Sequence, residues 1–197
     1  DSASKALEKQ SLNQLETVRS IKKSQIENFF TSTQEDLSIL SRNIDRNLCA
    51  RTMCFNQSPP GRNNRHYNAF IETYGYHDLF IIKTDGYVIY TATKEPDYQT
   101  SLINGVYAES NLGQLFREVM ATGEFSFTDF EPYAASNGVP ASFIAQPITG
   151  DDGKVKAVVA LQISINGINK VMAERSGMGA TGESYLVGAD YLMRSDS

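Results

Sequence analysis

The first part of the chain shows apolar residues at helical spacing and contains neither glycine nor proline before Pro59. Most of the apolar residues recur at intervals of three, four or seven positions, and they are Leu12, Leu15, Val18, Ile26, Phe29, Phe30, Leu37, Leu40, Ile44 and Leu48. This period predicts an α-helix with one apolar stripe. A helix of about 45 residues is about 70 Å long. We therefore expect it to project from a domain or to pair with another helix.

After residue 59 glycine becomes common, and short β-rich runs alternate with turns. Five runs predict strands, at residues 79–84, 87–93, 125–133, 141–149 and 155–165. The first two flank Asp85 and Gly86, a dipeptide that favours a tight hairpin. A short amphipathic helix is predicted before Gly123, and its apolar residues are Leu112, Leu115, Phe116, Val119 and Met120. This order predicts an α+β domain with one five-stranded antiparallel sheet.

One stretch of the sequence occurs twice. Residues 80–91 resemble residues 185–195 with one residue deleted. Because a lone hairpin cannot bury its apolar face, we expect residues from about Thr181 onward to open a second, truncated module. The predicted organisation is a long N-terminal helix (1–58), an α+β module (59–176), and a connector with the start of the second module (177–197). We expect the whole to be part of a longer protein.

Composition and charge narrow the class of protein. The chain has 197 residues, of which 41% are hydrophobic and 21% charged, and this is typical of a folded domain. A net charge of -5 leaves no broad basic surface for a phosphate backbone, so we expect no nucleic-acid partner. No apolar run is long enough to cross a bilayer.

Two cysteines, Cys49 and Cys54, lie near the end of the predicted helix. They are too few for a disulfide scaffold or a cysteine-rich metal site. In an oxidising compartment they are close enough in sequence to form a disulfide, and two free thiols explain them equally well. The sequence leaves both alternatives open.

The most specific stretch of the sequence is glycine-rich and covers residues 177–188, followed by Leu-Met-Arg-Ser at 192–195. Further characteristic stretches are residues 89–91, 94–97 and 143–148. Together with a long helix and a PAS-like sheet, they resemble the extracytoplasmic Cache (PDC-type) sensor domains of bacterial methyl-accepting chemotaxis receptors and related transmembrane receptors. One amino-acid-binding subset of that family uses an Arg and a Trp near the third strand, and neither residue type occurs at 125–140.

The resemblance implies a fold, a function and a location. The chain is expected to be a periplasmic, ligand-binding region of an inner-membrane protein, flanked by two transmembrane helices and followed by a cytoplasmic output module. The small-molecule ligand of such a domain is an amino acid, a carboxylate, an amine or a similar compound.

The sequence contains no recognisable catalytic motif. The two histidines, His66 and His77, are eleven positions apart, which is outside metal-ligand spacing. No G-x-S-x-G motif and no phosphate-cradling loop occurs. We therefore expect a protein that is not an enzyme and needs no cofactor or metal.

Candidate ligand-binding residues lie on the predicted strands and beside them. Tyr90, Tyr107 and Tyr133 each offer an apolar ring and a hydroxyl group to a small ligand. Asp129 lies among aromatic residues on one face of the predicted third strand, which favours a cationic or zwitterionic ligand. Ser142 and Phe143 are weaker candidates, as is Gln162. For each tyrosine, packing in the core is the alternative, and for Asp129 it is a solvated position or a salt bridge.

These observations predict a sensor domain that binds a small molecule and passes a conformational signal across the membrane. The apolar stripe of the N-terminal helix predicts a parallel homodimer formed through that helix. One alternative is a dimerisation or spacer module that binds nothing. Another is the sensor region of a histidine kinase or a diguanylate cyclase, since the output module lies outside the sequence.

Overall fold

The computed structural model describes residues 2–49, 61–175, 177–179 and 181–196. The chain divides into two compact units. The larger unit is Thr33–Ile165, and the smaller one combines Asp1–Ser32 with Asn166–Ser197. Cys54 and the predicted boundary at residue 58 lie outside the described residues, as does the side chain of Cys49. The boundary therefore stays a prediction, and both alternatives for the cysteines stay open.

A long helix, α1 (Ser2–Cys49), confirms the prediction from the apolar stripe. Without glycine or proline, nothing in the local sequence interrupts it. In the larger unit its apolar residues Leu37, Leu40 and Ile44 are almost completely buried. Tyr76, which follows the second helix, donates a hydrogen bond to Asp36 of α1 at 2.7 Å. The C-terminal part of the apolar stripe therefore packs against other residues of the same chain.

The remaining elements of the larger unit are a second helix, α2 (Gly61–Tyr74), a covering helix, α3 (Asn111–Thr122), a short 3-10 helical turn (Ala134–Ser136) and an antiparallel sheet. The strands are β1 (Asp78–Lys83), β2 (Val88–Thr91), β3 (Ser126–Phe127), β4 (Glu131–Tyr133), β5 (Val139–Thr149) and β6 (Val155–Ser164). Their order is β2-β1-β6-β5-β3, and β4 also pairs with β5. The α+β, PAS-like architecture was thus predicted correctly.

The sheet has six strands instead of the predicted five, because the predicted strand at 125–133 is divided into β3 and β4. Hydrogen bonds of the intervening residues account for the break. The hydroxyl group of Thr128 accepts the Phe143 N–H at 3.0 Å, and the carboxylate of Asp129 accepts the N–H of Phe130 at 2.7 Å. Side-chain bonds of this kind compete with the regular ladder.

Helix α2 was not predicted. Its sequence is rich in asparagine, a poor helix former, and it contains Gly61 at its start. A signal was nevertheless present, because Tyr67, Phe70, Ile71 and Tyr74 recur at helical spacing. Tyr67 and Ile71 are buried in the structure, so tertiary packing stabilises a segment of weak helix propensity.

The pairing register decides which residues lie on each face of the sheet. Asp78 and Phe143 are both paired directly with Gln162, so the three side chains lie on one face. We call it the α3 face, because Phe80 and Phe143 pack there with Leu112 and Phe116 of α3. On the opposite face, which we call the α2 face, Tyr90 is paired with Ile81 and its ring contacts that of Tyr67 in α2.

Helix α3 has a clear start and end. The Ser110 hydroxyl group accepts the N–H of Gly113 before its first turn, and Gly123 follows its last turn with a φ of 70°. The Gly123 N–H donates to the carbonyl group of Val119, which closes the helix as predicted. The two caps define where α3 begins and ends.

The smaller unit contains the first part of α1, a short helix α4 (Ile165–Ala173) and the C-terminal segment. The Lys22 ammonium group donates to the carbonyl groups of Val171 and Glu174 at 2.5 and 2.6 Å. Residues 186–194 form an irregular hairpin, in which Val187 is bridged to Met193. Of the described helices, none is both long and apolar enough to cross a bilayer.

Candidate ligand-binding site

A cluster of buried and half-buried polar side chains lies on the α3 face of the sheet and at the loops beside it. We call it the polar cluster, and its members are Asp78, Glu95, Asp97, Tyr133, Ser136 and Gln162. Asp78 begins β1, Tyr133 ends β4 and Gln162 lies near the end of β6. The loop after β2 supplies the two other carboxylates. Ser136 follows Tyr133 by three residues, so four separate segments of the chain meet in one place.

Asp78 holds the loop after β2 in position. Its Oδ1 accepts the N–H groups of Leu79, Ala92 and Thr93 at 2.7, 2.7 and 3.1 Å, and its Oδ2 accepts the Thr93 hydroxyl group at 2.5 Å. Burial raises the pKa of Asp78, and these hydrogen bonds oppose that rise. Because both oxygens are occupied, Asp78 has a structural role.

Asp97 is completely buried, but only one of its two carboxylate oxygens accepts a hydrogen bond. Its Oδ2 accepts the Tyr133 hydroxyl group at 2.7 Å, while its Oδ1 has no hydrogen-bond partner. Burial, together with the nearby Asp78 and Glu95, raises the pKa of Asp97 to about 6, although the bond from Tyr133 lowers it. Burial, together with the nearby Asp97 carboxylate, also raises the pKa of Tyr133 far above its ordinary value.

A chain of hydrogen bonds runs from the surface to Gln162. His77 Nε2 lies 3.0 Å from Glu95 Oε1, and the Ser136 hydroxyl group donates to Glu95 Oε2 at 2.6 Å. The Gln162 amide group donates to Ser136 Oγ at 3.0 Å. The other atom of that amide, Oε1, is buried without a partner.

The cluster therefore presents two unpaired acceptors, Asp97 Oδ1 and Gln162 Oε1. Buried polar atoms are normally hydrogen-bonded, and leaving one unpaired costs about 1 to 3 kcal/mol. A bound donor would recover this free energy. The arrangement has the properties of a recognition site for a ligand with N–H or O–H groups.

A comparison with family models matches the Cache domain over residues 3–194. The chain belongs to the Cache domain family. Membership agrees with the fold and with the prediction of a sensor, and Cache domains sense ligands and do not catalyse reactions. The search of curated proteins gives no significant match.

Solved structures with the same fold are distant in sequence. The ligand-binding domain of the Campylobacter jejuni chemoreceptor Tlp3 in complex with 4-methylisoleucine is 12% identical with a TM-score of 0.65, over 93% of this chain and 68% of that one. The ligand-binding domain of the Pseudomonas aeruginosa PAO1 amino-acid chemoreceptor PctC in complex with GABA is 10% identical with a TM-score of 0.63, over 93% and 75%.

An extracellular ligand-binding receptor from Desulfohalobium retbaense has a TM-score of 0.59 at 8% identity, over 79% of this chain and 26% of that one. This chain thus spans only about a quarter of that protein. At these identities the likeness establishes the fold alone.

Three of the six predicted ligand-binding residues come together in this Cache domain. Tyr133 and Phe143 are fully buried on the α3 face, with ring centroids 4.9 Å apart. Tyr107, partly buried against the same core, lies 6.1 Å from Tyr133. Tyr133 belongs to the polar cluster, and the Tyr107 and Phe143 rings lie beside it.

The other three residues lie elsewhere. Tyr90 points to the α2 face, where its hydroxyl group donates a hydrogen bond to Asn68 Oδ1. The Lys94 ammonium group lies over the Tyr90 ring, 4.3 Å from its centroid. Ser142 also points away from the α3 face and donates to the carbonyl group of Thr128. Asp129 is exposed between β3 and β4.

The expectation that residues 125–133 form one strand with a common face is wrong. Phe127 is 58% exposed and Tyr133 is 0% exposed, although they are six residues apart and share a face in an unbroken strand. The interruption between β3 and β4 changes the orientation of the chain. For this reason Asp129 does not share a face with Tyr133.

Sequence reasoning missed Asp78, Glu95, Asp97 and Ser136, and it ranked Gln162 low. A signal existed for Asp78, because an acidic residue beside the apolar run at 79–82 is unusual in a buried strand. Glu95 and Asp97 lie within residues 94–97, one of the stretches that carry the family resemblance. Among the described residues, no group of three or more His, Cys, Asp or Glu is arranged to hold a metal ion.

Proposed function

We propose that this Cache domain is the extracytoplasmic sensor of a bacterial transmembrane chemoreceptor and that it binds a small molecule on the α3 face. The observation that carries the proposal is the pair of unpaired buried acceptors, Asp97 Oδ1 and Gln162 Oε1. Tyr107, Tyr133 and Phe143 would supply apolar contact beside them. The Tlp3 domain is in complex with 4-methylisoleucine and the PctC domain with GABA, which supports a small-molecule ligand here.

The position of Gln162 suggests how binding is transmitted. Strand β6 ends at Ser164, and α4 begins at Ile165 without an intervening loop. A ligand that contacts Gln162 therefore acts on a strand that continues directly into a helix. Such a ligand shifts signalling through its different affinities for two conformations of the domain.

The proposal includes a location and a partner. The parent protein would be anchored in the inner membrane with this domain in the periplasm, and two copies would pair through α1. Exposed apolar residues support the pairing, because Leu7, Ile21 and Ile39 remain accessible on the helix.

One observation favours the alternative of a spacer module that binds no ligand. Tyr133 and Phe143 are fully buried against α3 and against each other, so they fill part of the space that a ligand would occupy. A ligand would then have to displace the covering loop or α3.

A thermal-shift screen tests the proposal, with amino acids, carboxylates, amines and nucleobases as the panel. A ligand at a hundred times its dissociation constant adds about 2.7 kcal/mol to the free energy of unfolding. We expect at least one compound to raise the Tm of the native chain. The shift should disappear in Asp97→Asn and remain in the matched control Asp129→Asn, which changes an exposed aspartate.

Each outcome of the screen decides between the proposals. A shift that is lost in Asp129→Asn but kept in Asp97→Asn would move the site from the polar cluster to the β3–β4 connection. No shift with any compound would overturn ligand binding by this chain and favour the spacer module.

A further inference from the structure

The direction of the hydrogen bonds that lead to Gln162 determines what the site can recognise. We propose that Glu95 and Ser136 orient the Gln162 amide group so that the site presents oxygen acceptors and selects a protonated amino group. This inference rests on the proposed function, since it concerns the ligand of the same site. It assigns Ser136 and Glu95 as positioning residues.

The argument begins at Ser136, because a hydroxyl group has one proton to donate. The Ser136 hydroxyl group lies 2.6 Å from Glu95 Oε2 and donates to it. A carboxylate accepts hydrogen bonds and cannot donate one. The proton of Ser136 is therefore committed to Glu95, and toward Gln162 the hydroxyl oxygen acts as an acceptor.

The amide group of Gln162 must match that acceptor. Its Nε2 donates to Ser136 Oγ at 3.0 Å, which turns Oε1 in the other direction. Gln162 is 3% exposed, and no group among the described residues donates to Oε1. The reversed amide would place Gln162 Oε1 against Ser136 Oγ, so that two acceptors would face each other.

A second unpaired acceptor belongs to the same cluster. Asp97 is 0% exposed, and its Oδ1 is free while its Oδ2 is bound by Tyr133. The Tyr133 ring packs on Phe143, whose direct partner across the strands is Gln162. Asp97 and Gln162 therefore both adjoin the Tyr133–Phe143 pair.

The charge around these acceptors is negative. Asp78 and Glu95 both act electrostatically on Asp97. The nearby cation Lys94 lies over the Tyr90 and Tyr98 rings, at 4.3 and 3.9 Å from their centroids. Two acceptors among carboxylates favour a cationic donor and repel an anionic group. A protonated amine has this chemistry.

Matched probes test this inference on the folded chain. n-Butylamine, GABA and butyrate have the same carbon number and differ in whether they carry an amino group. We expect n-butylamine and GABA to bind in isothermal titration and to raise the Tm, and we expect butyrate to do neither.

Two variants remove the positioning without touching the acceptors. Ser136→Ala leaves the Gln162 amide group free to turn, and Glu95→Gln lets residue 95 donate to Ser136, so that the whole chain of bonds can reverse. We expect either variant to weaken amine binding by about tenfold, the equivalent of one hydrogen bond of about 1.4 kcal/mol. The matched controls are Ser126→Ala and Glu118→Gln, which change an exposed serine–glutamate bond of 2.7 Å.

The results separate this inference from the proposed function. If Ser136→Ala and Glu95→Gln bind amines with affinities within twofold of the native value, Ser136 and Glu95 do not act as positioning residues. Binding of butyrate or of other compounds without an amino group, but of no amine, would overturn the ligand class and leave a sensor. Absence of binding by all three probes would overturn the ligand class, and the proposed function would fall with it only if the wider thermal-shift panel also gave no shift.

Discussion

Two buried aspartates in the same cluster have different roles, and their hydrogen bonds show why. Asp78 accepts three backbone N–H groups and a hydroxyl group, so its carboxylate is a fixed support for the loop after β2. Asp97 accepts one hydroxyl group and keeps one oxygen unpaired. At the scale of the residue, Asp97 is therefore the group whose state a ligand or a change of pH can alter.

The raised pKa of Asp97 predicts that stability falls as the pH rises. Burial first, then Asp78 and Glu95, raises this pKa from 3.8 to about 6. The folded state therefore binds the proton more tightly than the unfolded state, so the stabilisation is complete below about pH 4 and is lost as the pH passes through 6. The difference amounts to about 3 kcal/mol.

Urea unfolding between pH 4 and pH 7 measures this effect. Asp97→Asn keeps an acceptor for Tyr133 and removes the titration. Between pH 4 and pH 7, we expect the free energy of unfolding of the native chain to fall by about 3 kcal/mol relative to that of Asp97→Asn. Asp151→Asn, which makes the same change at an exposed carboxylate, provides the matched control. Parallel profiles for the native chain and Asp97→Asn would contradict the raised pKa.

At the scale of the element, α4 is a short helix whose C-terminal end is held by a side chain from another helix. Lys22 of α1 is 7% exposed and donates to two carbonyl groups near that end. The last carbonyl groups of a helix have no partner within it, so a lysine there supplies the missing donors. This contact fixes the helix that continues from β6.

Replacement of Lys22 should loosen α4 locally. Lys22→Met keeps the aliphatic length and removes both bonds, which are charge-assisted and together contribute about 2 kcal/mol or more. We expect amide hydrogen exchange in residues 166–175 to become about thirtyfold faster. Mass spectrometry of that peptide measures it.

The neighbouring lysine is the matched control for this experiment. Lys23 is exposed and pairs with Glu27 one turn away, an interaction of a few tenths of a kcal/mol. Lys23→Met should leave exchange in residues 166–175 unchanged. Equal exchange rates in the native chain and in Lys22→Met would show that the cap does not stabilise α4.

At the scale of the whole molecule, the distribution of apolar surface on α1 bears on assembly. Leu7, Ile21 and Ile39 are 66%, 52% and 51% exposed. They are separated by 14 and 18 residues, which correspond to about four and five helical turns, so they share one face of the helix. This face is apart from the buried positions Leu37, Leu40 and Ile44, and it is the surface through which we expect two copies to pair.

Charges on that face should separate the copies. We expect the double variant Leu7→Glu with Ile21→Glu to raise the dimer dissociation constant at least about tenfold, because pairing would bury unpaired carboxylates. Sedimentation velocity at several concentrations measures it, and Val106→Glu, at an exposed loop position, is the control. A native chain that is monomeric throughout the concentration range would contradict pairing through α1.

Much of the fold was predictable from the sequence because the relevant signals are local. The absence of glycine and proline before Pro59 and the spacing of Leu37, Leu40 and Ile44 predicted α1. Asp85 and Gly86 predicted the β1–β2 hairpin, and Gly123 predicted the end of α3, since each depends on the conformational preference of one or two residues. The stretches at 177–188 and 94–97 carried the resemblance that the family comparison confirmed.

Tertiary structure decided the site, because it depends on contacts between residues that are distant in sequence. Tyr90 is as aromatic as Tyr133, but the pairing register places it on the opposite face of the sheet. The Thr128 hydroxyl group accepts the N–H of Phe143 where β3 ends, and this interruption of the strand determines the position of Asp129. The bonds from Glu95 through Ser136 to Gln162 join a loop, a helical turn and a strand. The sequence by itself determined the elements, since their signals are periodic and local, and only the packed sheet determined which polar atoms are buried without partners.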